Sequence, residues 1–396
     1  MNPFYETGAA ASRYAGLIDA LIDYGVHIEL IVTGGFQSPI EKKKIGIVEG
    51  KSNINIRYLH SYSNYNIWLR RIYVYFLSYF FQKYKNISLK RVFQSDQDLT
   101  WLAYDKSILQ SFIINKKYLK SPSFIELNEF NDLHLHGFRF GNKLQQRNAE
   151  QENKIFLKAI KEIDFIAVMT KTLKEHYQHL ASPRARILHL PMTVNINRFI
   201  EQHKCINGLN KPYIAYTGTF NNQKDGVDVL IKAFAKLADQ YKEYTLYLAG
   251  FYHYDMCVND RLVQDLGLND RIVNLGALSK DDVPGFLQNA SLLVMARPES
   301  RQAMGGFPTK LGEYLATGKP VCVTNVGEIC DYLIDNKSAY IAEPGDVDSF
   351  AYAMNRALSN PDHASVVGLN GKRIAQTIFD TTVQGKRLFD FFYKNS

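Results

Sequence analysis

The sequence predicts an α/β protein made of two domains, each built around a parallel β-sheet. Three observations predict this class of fold. The chain has 396 residues, which exceeds what one ordinary hydrophobic core accommodates. Its hydrophobic content of 46% is typical of a well-packed globular protein. Short apolar strands alternate with amphipathic helices in both halves, as in parallel sheets whose two faces are covered by helices.

The first half opens on a glycine-containing loop that leads into an amphipathic helix. Apolar residues between Ser12 and Tyr24 are spaced for one helical face, Gly25 ends the helix, and residues 26–33 form a strand. Helix, glycine and strand are half of a βαβ unit, which normally starts with a strand. No strand-like segment precedes Gly8, so either the first strand of the usual unit is missing or the sheet begins differently here.

The rest of the first half continues the alternation. Strands are predicted at 54–58, 123–127 and 163–170, and helices at 146–163 and 171–180. Residues 65–84 are helix-length, aromatic and basic, and two interpretations are open. A packed core helix is favoured because the segment is apolar nearly all round. The alternative is an interfacial helix that contacts lipid headgroups.

The second half shows the same alternation more clearly. Strands are predicted at 213–217, 244–249, 271–274 and 291–296, and helices at 226–240 and 280–288. We expect an N-terminal Rossmann-like domain over 1–200 and a C-terminal one over 201–375, with a polar linker at 200–212. Residues 376–396 form a final helix, rich in Phe and Tyr, that crosses back to the first domain.

The most informative stretch is the loop and short helix from Gly305 to Gly318. Pro308 suits the first helical position, and Gly318 suits the position that closes a helix. Residues 319–324 then form a buried strand. Two glycines before a helix start leave room for close approach to free N–H groups and to the positive end of the helix dipole, and phosphate is the usual occupant of such a site.

Two side chains of that helix extend the prediction. Thr309 and Glu313 are four residues apart and share one face. A carboxylate at Glu313 can accept hydrogen bonds from two neighbouring hydroxyls, as on a ribose. The alternative interpretation is an ordinary helix N-terminus beside a sheet, with a glutamate on the surface.

A second loop, from Gly218 to Gly226, also leaves a predicted strand and enters a helix. It carries Lys224, which could reach a diphosphate as a point charge, although a lone loop lysine is more often merely solvated. The chain has neither a Walker A loop nor a GxGxxG fingerprint, which argues against a nicotinamide or flavin dinucleotide.

Charge and composition limit the partners. The net charge of +8 favours anionic partners, among them nucleotides and an anionic membrane surface. No nucleic-acid-binding motif, membrane-spanning run or signal peptide is recognisable. The four cysteines lack metal-ligand spacing, so we expect reduced thiols and no metal. We expect a cytoplasmic protein, and a peripheral position on the inner face of the membrane is compatible with this.

Several separate motifs together carry a resemblance to a known family. They lie in order across roughly residues 212–350 and comprise Gly218 with Lys224 and Gly226, Leu248-Ala249-Gly250, Val273-Asn274-Leu275-Gly276, the stretch from Phe307 to Pro320, and Val326-Gly327. In order and spacing they resemble the donor domain of retaining glycosyltransferases of family 4. The resemblance implies a GT-B fold, with two Rossmann-like domains facing across a cleft.

The resemblance also implies a donor site for a nucleoside-diphosphate sugar. Lys224 would neutralise the diphosphate, Glu313 would bind the ribose, and amides of Thr309 and Lys310 would receive phosphate oxygens. The base would lie beside Gly276, Ala277 and Leu278. The full set of expected donor-site residues is Gly8, Ala9, Gly218, Thr219, Lys224, Gly250, Gly276, Ala277, Leu278, Gly305, Gly306, Phe307, Pro308, Thr309, Lys310 and Glu313.

Two positions depart from the family pattern. Thr219 stands where the family usually has an arginine, and Gly305 stands where it has the first of two glutamates. Branches of the family tolerate the Gly-Gly-Phe-Pro-Thr-Lys sequence, so we interpret the departures as those of a subtype.

The acceptor side is predicted from the end of the strand at 123–127. Glu126, Glu129 and His134 are the candidates, although such residues are more often merely solvated loop residues. Glu129 is the first choice to contact the acceptor or the transferred sugar, and with Lys224 and Glu313 it completes the predicted catalytic set. The resemblance implies no dedicated nucleophile.

The sequence-based hypothesis is a glycosyltransferase that moves a sugar from a nucleoside diphosphate to a glycan or polyprenyl-linked acceptor, with retention, in surface polysaccharide synthesis. Thr219, Gly305 and the missing strand motivate a second hypothesis, a non-catalytic subunit that binds a sugar nucleotide or a partner. A third is a GT-B-shaped phosphorylase or epimerase that acts on a sugar phosphate.

Overall fold

The computed structural model describes residues 9–33, 53–58, 78–131, 143–209 and 212–394. The chain divides into two compact units. The first comprises Met1–Pro191 together with Gly385–Ser396, and the second comprises Met192–Gln384. Each unit holds parallel strands of its own in its described part.

The first unit contains two parallel sheets. Strands β1 (Ile28–Val32) and β2 (Ile54–Tyr58) form one, with Ile28 opposite Ile54. The other has the order β3 (Thr100–Leu102), β4 (Ser123–Leu127), β5 (Phe165–Val168) and β6 (Arg186–His189). Its helices are α1 (Ala9–Asp23), α2 (Ser78–Gln94), α3 (Lys106–Asn115), α4 (Lys143–Ala159) and α5 (Lys171–Leu180), with short 3₁₀ turns at Lys116–Tyr118 and Ile160–Glu162.

The core of the first unit lies around β4 and the end of the chain. Every residue of β4 is buried, as expected for a strand with both faces covered. Phe124 on β4 meets the edge of Phe392, with ring centroids 4.8 Å apart. Both residues belong to a cluster with Leu17 and Leu21 from α1. The aromatic residues at the end of the chain thus belong to this core.

The second unit contains one six-stranded parallel sheet. Its strands are β7 (Tyr213–Thr219), β8 (Thr245–Phe251), β9 (Ile272–Gly276), β10 (Leu292–Met295), β11 (Val321–Thr324) and β12 (Tyr340–Ala342). The spatial order is β12-β11-β10-β7-β8-β9. The chain therefore builds outward from β7 to β9 and then returns to the other side of β7. This order places a topological switch point between β7 and β10, where α/β sheets bind ligands.

Ten helices begin in the described part of the second unit, and the last of them ends in the first unit. They are α6 (Asn222–Asp225), α7 (Val227–Leu237), α8 (Asp255–Asp265), α9 (Asp282–Gln288), α10 (Arg301–Gly305), α11 (Thr309–Thr317), α12 (Ile329–Tyr332), α13 (Val347–Ser359), α14 (Pro361–Ile374) and α15 (Thr381–Tyr393). A 3₁₀ turn at Ile196–Phe199 precedes the sheet, and a π-helical segment at Ala375–Phe379 follows α14.

Most predicted elements are present, and the structure adds others that were not predicted, among them β3, α3, α8, α13 and α14. The predicted bounds of β2, β4 and α5 are confirmed. Helices α6 and α10 occupy segments that were expected to be loops. Pro308 is the cap of α11 rather than its first residue, because its ψ of 109° is extended. Gly318 ends α11 with a left-handed φ of 77°, as predicted.

Some predictions lie outside the described residues. These include the missing strand before Gly8 and residues 65–77 of the predicted aromatic helix. Among the described helices, none is long and apolar enough to cross a bilayer. The four cysteines are unpaired.

Candidate functional site

The candidate site lies at the carboxyl ends of the strands of the second unit. Gly218 at the end of β7 is paired with Gly250 near the end of β8. A Cβ atom on Gly250 would lie 1.6 Å from the carbonyl oxygen of Gly218, so no side chain fits there. Both glycines line a cavity of about 90 Å³, together with Thr217, Ala249, Phe251, Ala277, Leu278 and Val283. Four predicted donor-site residues, Gly218, Gly250, Ala277 and Leu278, therefore line one cavity.

A largely buried cation, the 17% exposed side chain of Lys310, lies beside this cavity. The Nζ atom of Lys310 is 3.0 Å from Oδ1 of Asp225 and donates to the hydroxyl of Tyr216 at 3.3 Å. The Tyr216 hydroxyl in turn lies 3.1 Å from Oδ2 of Asp225. Burial is the largest influence on the pKa of Lys310 and lowers it, whereas Asp225 raises it; the net pKa is below the ordinary value. Lys310, Asp225 and Tyr216 thus form one polar cluster at the end of β7.

Two further cations act on this cluster. Arg297, which is buried just after β10, and Lys224, which is exposed on α6, both lower the pKa of Lys310 by repulsion. The N–H of Lys224 donates to the side chain of Asn221 at 2.9 Å, which fixes the start of α6. Three cations and one carboxylate therefore meet at the switch point, and this excess of positive charge favours an anion.

Helix α11 is anchored with its N-terminus at the same place. The hydroxyl of Tyr314 accepts a hydrogen bond of 2.7 Å from the N–H of Thr217 on β7. Pro308 supplies no side-chain cap, and the first N–H groups of a helix have no intrahelical acceptor. Thr309 and Lys310 occupy that first turn. Their amides, with the positive end of the helix dipole, are suited to an oxyanion.

Glu313, the predicted ribose ligand, has a partner that the sequence reasoning missed. Its Oε1 accepts a hydrogen bond from Arg198, whose guanidinium also donates to the carbonyl of Lys280 at 3.0 Å. Both side chains are about a quarter exposed, so the pair lies at the surface of the site. Arg198 fixes one oxygen of the carboxylate in place.

Most of the remaining donor-site candidates lie at the ends of strands and helices. Thr219 is the last residue of β7, and Gly276 ends β9 with a left-handed φ of 68°. Gly305 ends α10 and is buried, and Gly306 follows it as the cap. Phe307 packs against Phe379 at 5.5 Å and against Tyr332 at 5.7 Å, so its side chain belongs to the core.

In the first unit, the acceptor candidates occupy different environments. Glu126 is only 2% exposed and forms an ion pair with Arg13, whose guanidinium also donates to the carbonyl oxygens of Leu190 and Pro191. This is the environment of a structural ion pair. Glu129 is exposed, and its carbonyl accepts from the Tyr177 hydroxyl.

Three predicted residues have limited or no description. Ala9 begins α1, and its side chain is outside the described part. Gly8 and His134 lie outside the described residues altogether. Within the described ranges, no three His, Cys, Asp or Glu side chains are grouped as metal ligands.

Several residues of the site could not be found from the sequence. Lys310 meets Tyr216 across 94 positions, and Glu313 meets Arg198 across 115. Only the fold brings such pairs together. The alternation of strands and helices predicted the edge of the sheet, but it held no signal for Asp225 as a counter-charge.

A parallel sheet with a switch point, a glycine-lined cavity and converging cations are features common among ligand-binding α/β domains. Comparison with known families identifies this domain more closely. Residues 199–374 match the family Glycosyl transferases group 1. The matched region includes all six strands of the second sheet.

Curated relatives agree with this assignment. The chain is 30% identical over 152 residues to 2-deoxystreptamine glucosyltransferase of Streptomyces kanamyceticus. The aligned segment makes up 38% of this chain and 37% of that protein. The chain spans less than two thirds of the length of this and of the next curated relatives that it matches.

Solved structures resemble almost the whole chain. Sucrose-phosphate synthase from Thermosynechococcus elongatus superposes with a TM-score of 0.72 at 17% identity, covering 98% of this chain and 95% of that one. Alr3699/HepE of Anabaena, solved in complex with UDP, gives 0.66 at 13% identity and covers 93% and 100%. The predicted α/β fold of the GT-B class is confirmed.

Proposed function

We propose that this protein is a retaining glycosyltransferase that moves a sugar from a nucleoside-diphosphate sugar to a glycan or lipid-linked acceptor. The observation that carries the proposal is the cluster of cations at the switch point of a glycosyl transferases group 1 domain. The UDP bound in the structure of Alr3699/HepE supports a nucleotide as the ligand.

The described geometry supports the donor side of this proposal. As the bond between sugar and diphosphate breaks, negative charge develops on the leaving nucleoside diphosphate. Lys224 and the first amides of α11 stabilise that charge, so no resident metal is required. Glu313, held by Arg198, accepts hydrogen bonds from the ribose through its second oxygen. The base lies beside Ala277 and Leu278.

The acceptor side rests on fewer observations. Glu129, exposed after β4, contacts the acceptor or the transferred sugar. No side chain acts as a nucleophile, and an oxygen of the leaving phosphate receives the proton of the acceptor hydroxyl. The net charge of +8 supports work at an anionic membrane surface on a polysaccharide intermediate.

The test is turnover with a panel of donors. UDP-glucose, UDP-N-acetylglucosamine and GDP-mannose are incubated with the protein, with and without a lipid-linked glycan extract, and release of nucleoside diphosphate is measured. One donor should be consumed, and Lys224→Ala and Glu313→Ala should each slow release by roughly a hundredfold. Lys337→Ala, at an exposed position of the same unit, is the matched control.

Three outcomes would contradict parts of the proposal. Binding of a nucleotide without turnover of any donor would favour the non-catalytic subunit. An initial product whose anomeric configuration is inverted, seen by proton NMR, would refute retention. Failure to sediment with anionic liposomes at low salt would refute the membrane surface.

A further inference from the structure

The ammonium group of Lys310 is held in place by several contacts. An ammonium group has three N–H donors. Asp225 and Tyr216 take two of them, and the structure records no third acceptor among the described residues. Nζ also lies over the ring of Tyr216, 4.7 Å from its centroid, which fixes the charge further.

The backbone of β7 is shaped around this ammonium group. A Cβ atom at Gly218 would lie 2.1 Å from Nζ of Lys310 and 2.5 Å from the hydroxyl of Tyr216. Glycine at this position therefore leaves the space that the ammonium occupies. Gly218 also lines the cavity with Gly250, so Nζ of Lys310 lies next to a residue of the cavity wall.

The surroundings of Lys310 act on its protonation in opposite directions. Burial, Arg297 after β10 and Lys224 on α6 all favour the neutral amine, and Asp225 is the carboxylate that favours the cation. Tyr216 on β7 and Tyr314 on α11 are the buried titratable neighbours, and burial raises the pKa of both hydroxyls. Both therefore stay neutral near neutral pH and supply no charge.

We propose that the Lys310 side chain donates its third hydrogen bond to the diphosphate of the donor, and that Asp225 is a positioning residue that keeps Lys310 charged and aimed at the cavity. This inference rests on the proposed function and gives the side chain of Lys310 a role in it. From the sequence, only the backbone amide of Lys310 was expected to bind the phosphate. Lys224 then holds the diphosphate from the exposed side, and Lys310 holds it from within.

The inference predicts an unusual dependence on pH. In the wild type, Asp225 favours the protonated form of Lys310. In Asp225→Asn the counter-charge is gone while the shape is kept. Lys310 should then lose its proton at a lower pH than in the wild type, and the affinity for a nucleoside diphosphate should begin to fall at a lower pH.

The experiment is calorimetric titration of the full chain with UDP, GDP and ADP at several pH values. Lys310→Met and Lys310→Gln should each weaken binding by about tenfold or more at every pH, as expected for loss of a hydrogen bond to a charged group. The affinity of Asp225→Asn relative to the wild type should decrease as the pH rises. Lys337→Met and Asp239→Asn, both at exposed positions of the same unit, are the matched controls.

The outcomes separate the two proposals. Failure of the wild type to bind any of the three nucleotides would refute the proposed function. Binding by the wild type with unchanged affinity in both Lys310 variants would refute only the role of Lys310. An Asp225→Asn variant whose affinity follows that of the wild type at all pH values would refute the role of Asp225. The change of affinity with pH is measured on one folded preparation of the variant, so misfolding cannot account for it.

Discussion

At the scale of single residues, distant charge pairs determine what each carboxylate can do. Asp225 is committed to Lys310, Glu313 to Arg198 and Glu126 to Arg13. The degree of burial distinguishes these pairs. The Arg198 pair is partly exposed and leaves its carboxylate accessible to a ligand, whereas the Arg13 pair is almost fully buried. Their contributions to stability should differ accordingly.

The Arg13 pair gives the first prediction. Arg13→Met leaves the carboxylate of Glu126 buried without its cation and removes two hydrogen bonds to carbonyl oxygens, so the free energy of unfolding should fall by about 3–5 kcal/mol. Urea denaturation measures this. Arg57→Met is the control, because Arg57 pairs with Glu29 at the surface, and its loss should cost no more than about 1 kcal/mol.

A double variant tests the mechanism of this effect. If the penalty comes from the uncompensated charge, Arg13→Met combined with Glu126→Leu should be more stable than Arg13→Met alone. A double variant that is less stable than either single one would show that packing, and not charge, dominates at this position.

At the scale of elements, helix α11 and its anchors position the site. Tyr314 ties its middle to β7, and Lys310 ties its first turn to Asp225. Gly312 allows the preceding chain to pack against the helix, since a Cβ there would lie 2.6 Å from the side chain of Met192. The N-terminus of α11 is therefore held at the carboxyl end of β7 before any ligand binds.

Tyr314→Phe tests this anchoring. The change keeps the ring and leaves the buried N–H of Thr217 without its acceptor. The free energy of unfolding should fall by about 1–3 kcal/mol, as measured by chemical denaturation. Tyr352→Phe on α13, at a position that is 64% exposed, is the control. Equal effects of the two changes would contradict the anchoring role.

A second element-scale prediction concerns pH. Asp335 accepts two hydrogen bonds from Arg356 on α13, at 2.8 and 2.9 Å. Partial burial raises the pKa of Asp335, but these bonds and the N–H of Ile341 outweigh it and hold the pKa below the usual range. The carboxylate therefore stabilises the fold above its unfolded pKa of about 4, and this contribution is lost as the pH falls through the lower folded value.

The difference in unfolding free energy between wild type and Asp335→Asn measures that contribution. It should be constant above about pH 5, with a size of up to about 1 kcal/mol because the pair is partly exposed, and it should vanish at lower pH. A difference that persists unchanged through acid would show that the carboxylate charge is not its cause.

The elements also show what could be predicted from the sequence. Strands β2 and β4 and helix α5 have their predicted bounds, because apolar runs and a helix cap mark them locally. The short helices α6 and α10 were missed, because segments of four or five residues are too short to show helical periodicity. Pairs such as Arg198 with Glu313 were beyond reach, because they depend on the packing of distant segments.

At the scale of the whole molecule, the two units show how the fold places chemistry. Each is built on parallel strands, and in the second the order of the strands creates a switch point between β7 and β10. The predicted donor-site residues of the second unit come from several segments of the chain, and most of them meet at the carboxyl edge of that sheet. The central claim is therefore that this edge binds a nucleoside diphosphate.

Thermal unfolding in the presence of UDP, GDP and ADP tests this claim most directly. A nucleotide at about a hundred times its dissociation constant should add about 2.7 kcal/mol to the free energy of unfolding. We expect one of the three to raise the melting temperature of the wild type and of Lys337→Ala, and to have little effect on Lys224→Ala and Glu313→Ala. A wild type whose melting temperature is unchanged by all three nucleotides would contradict the account.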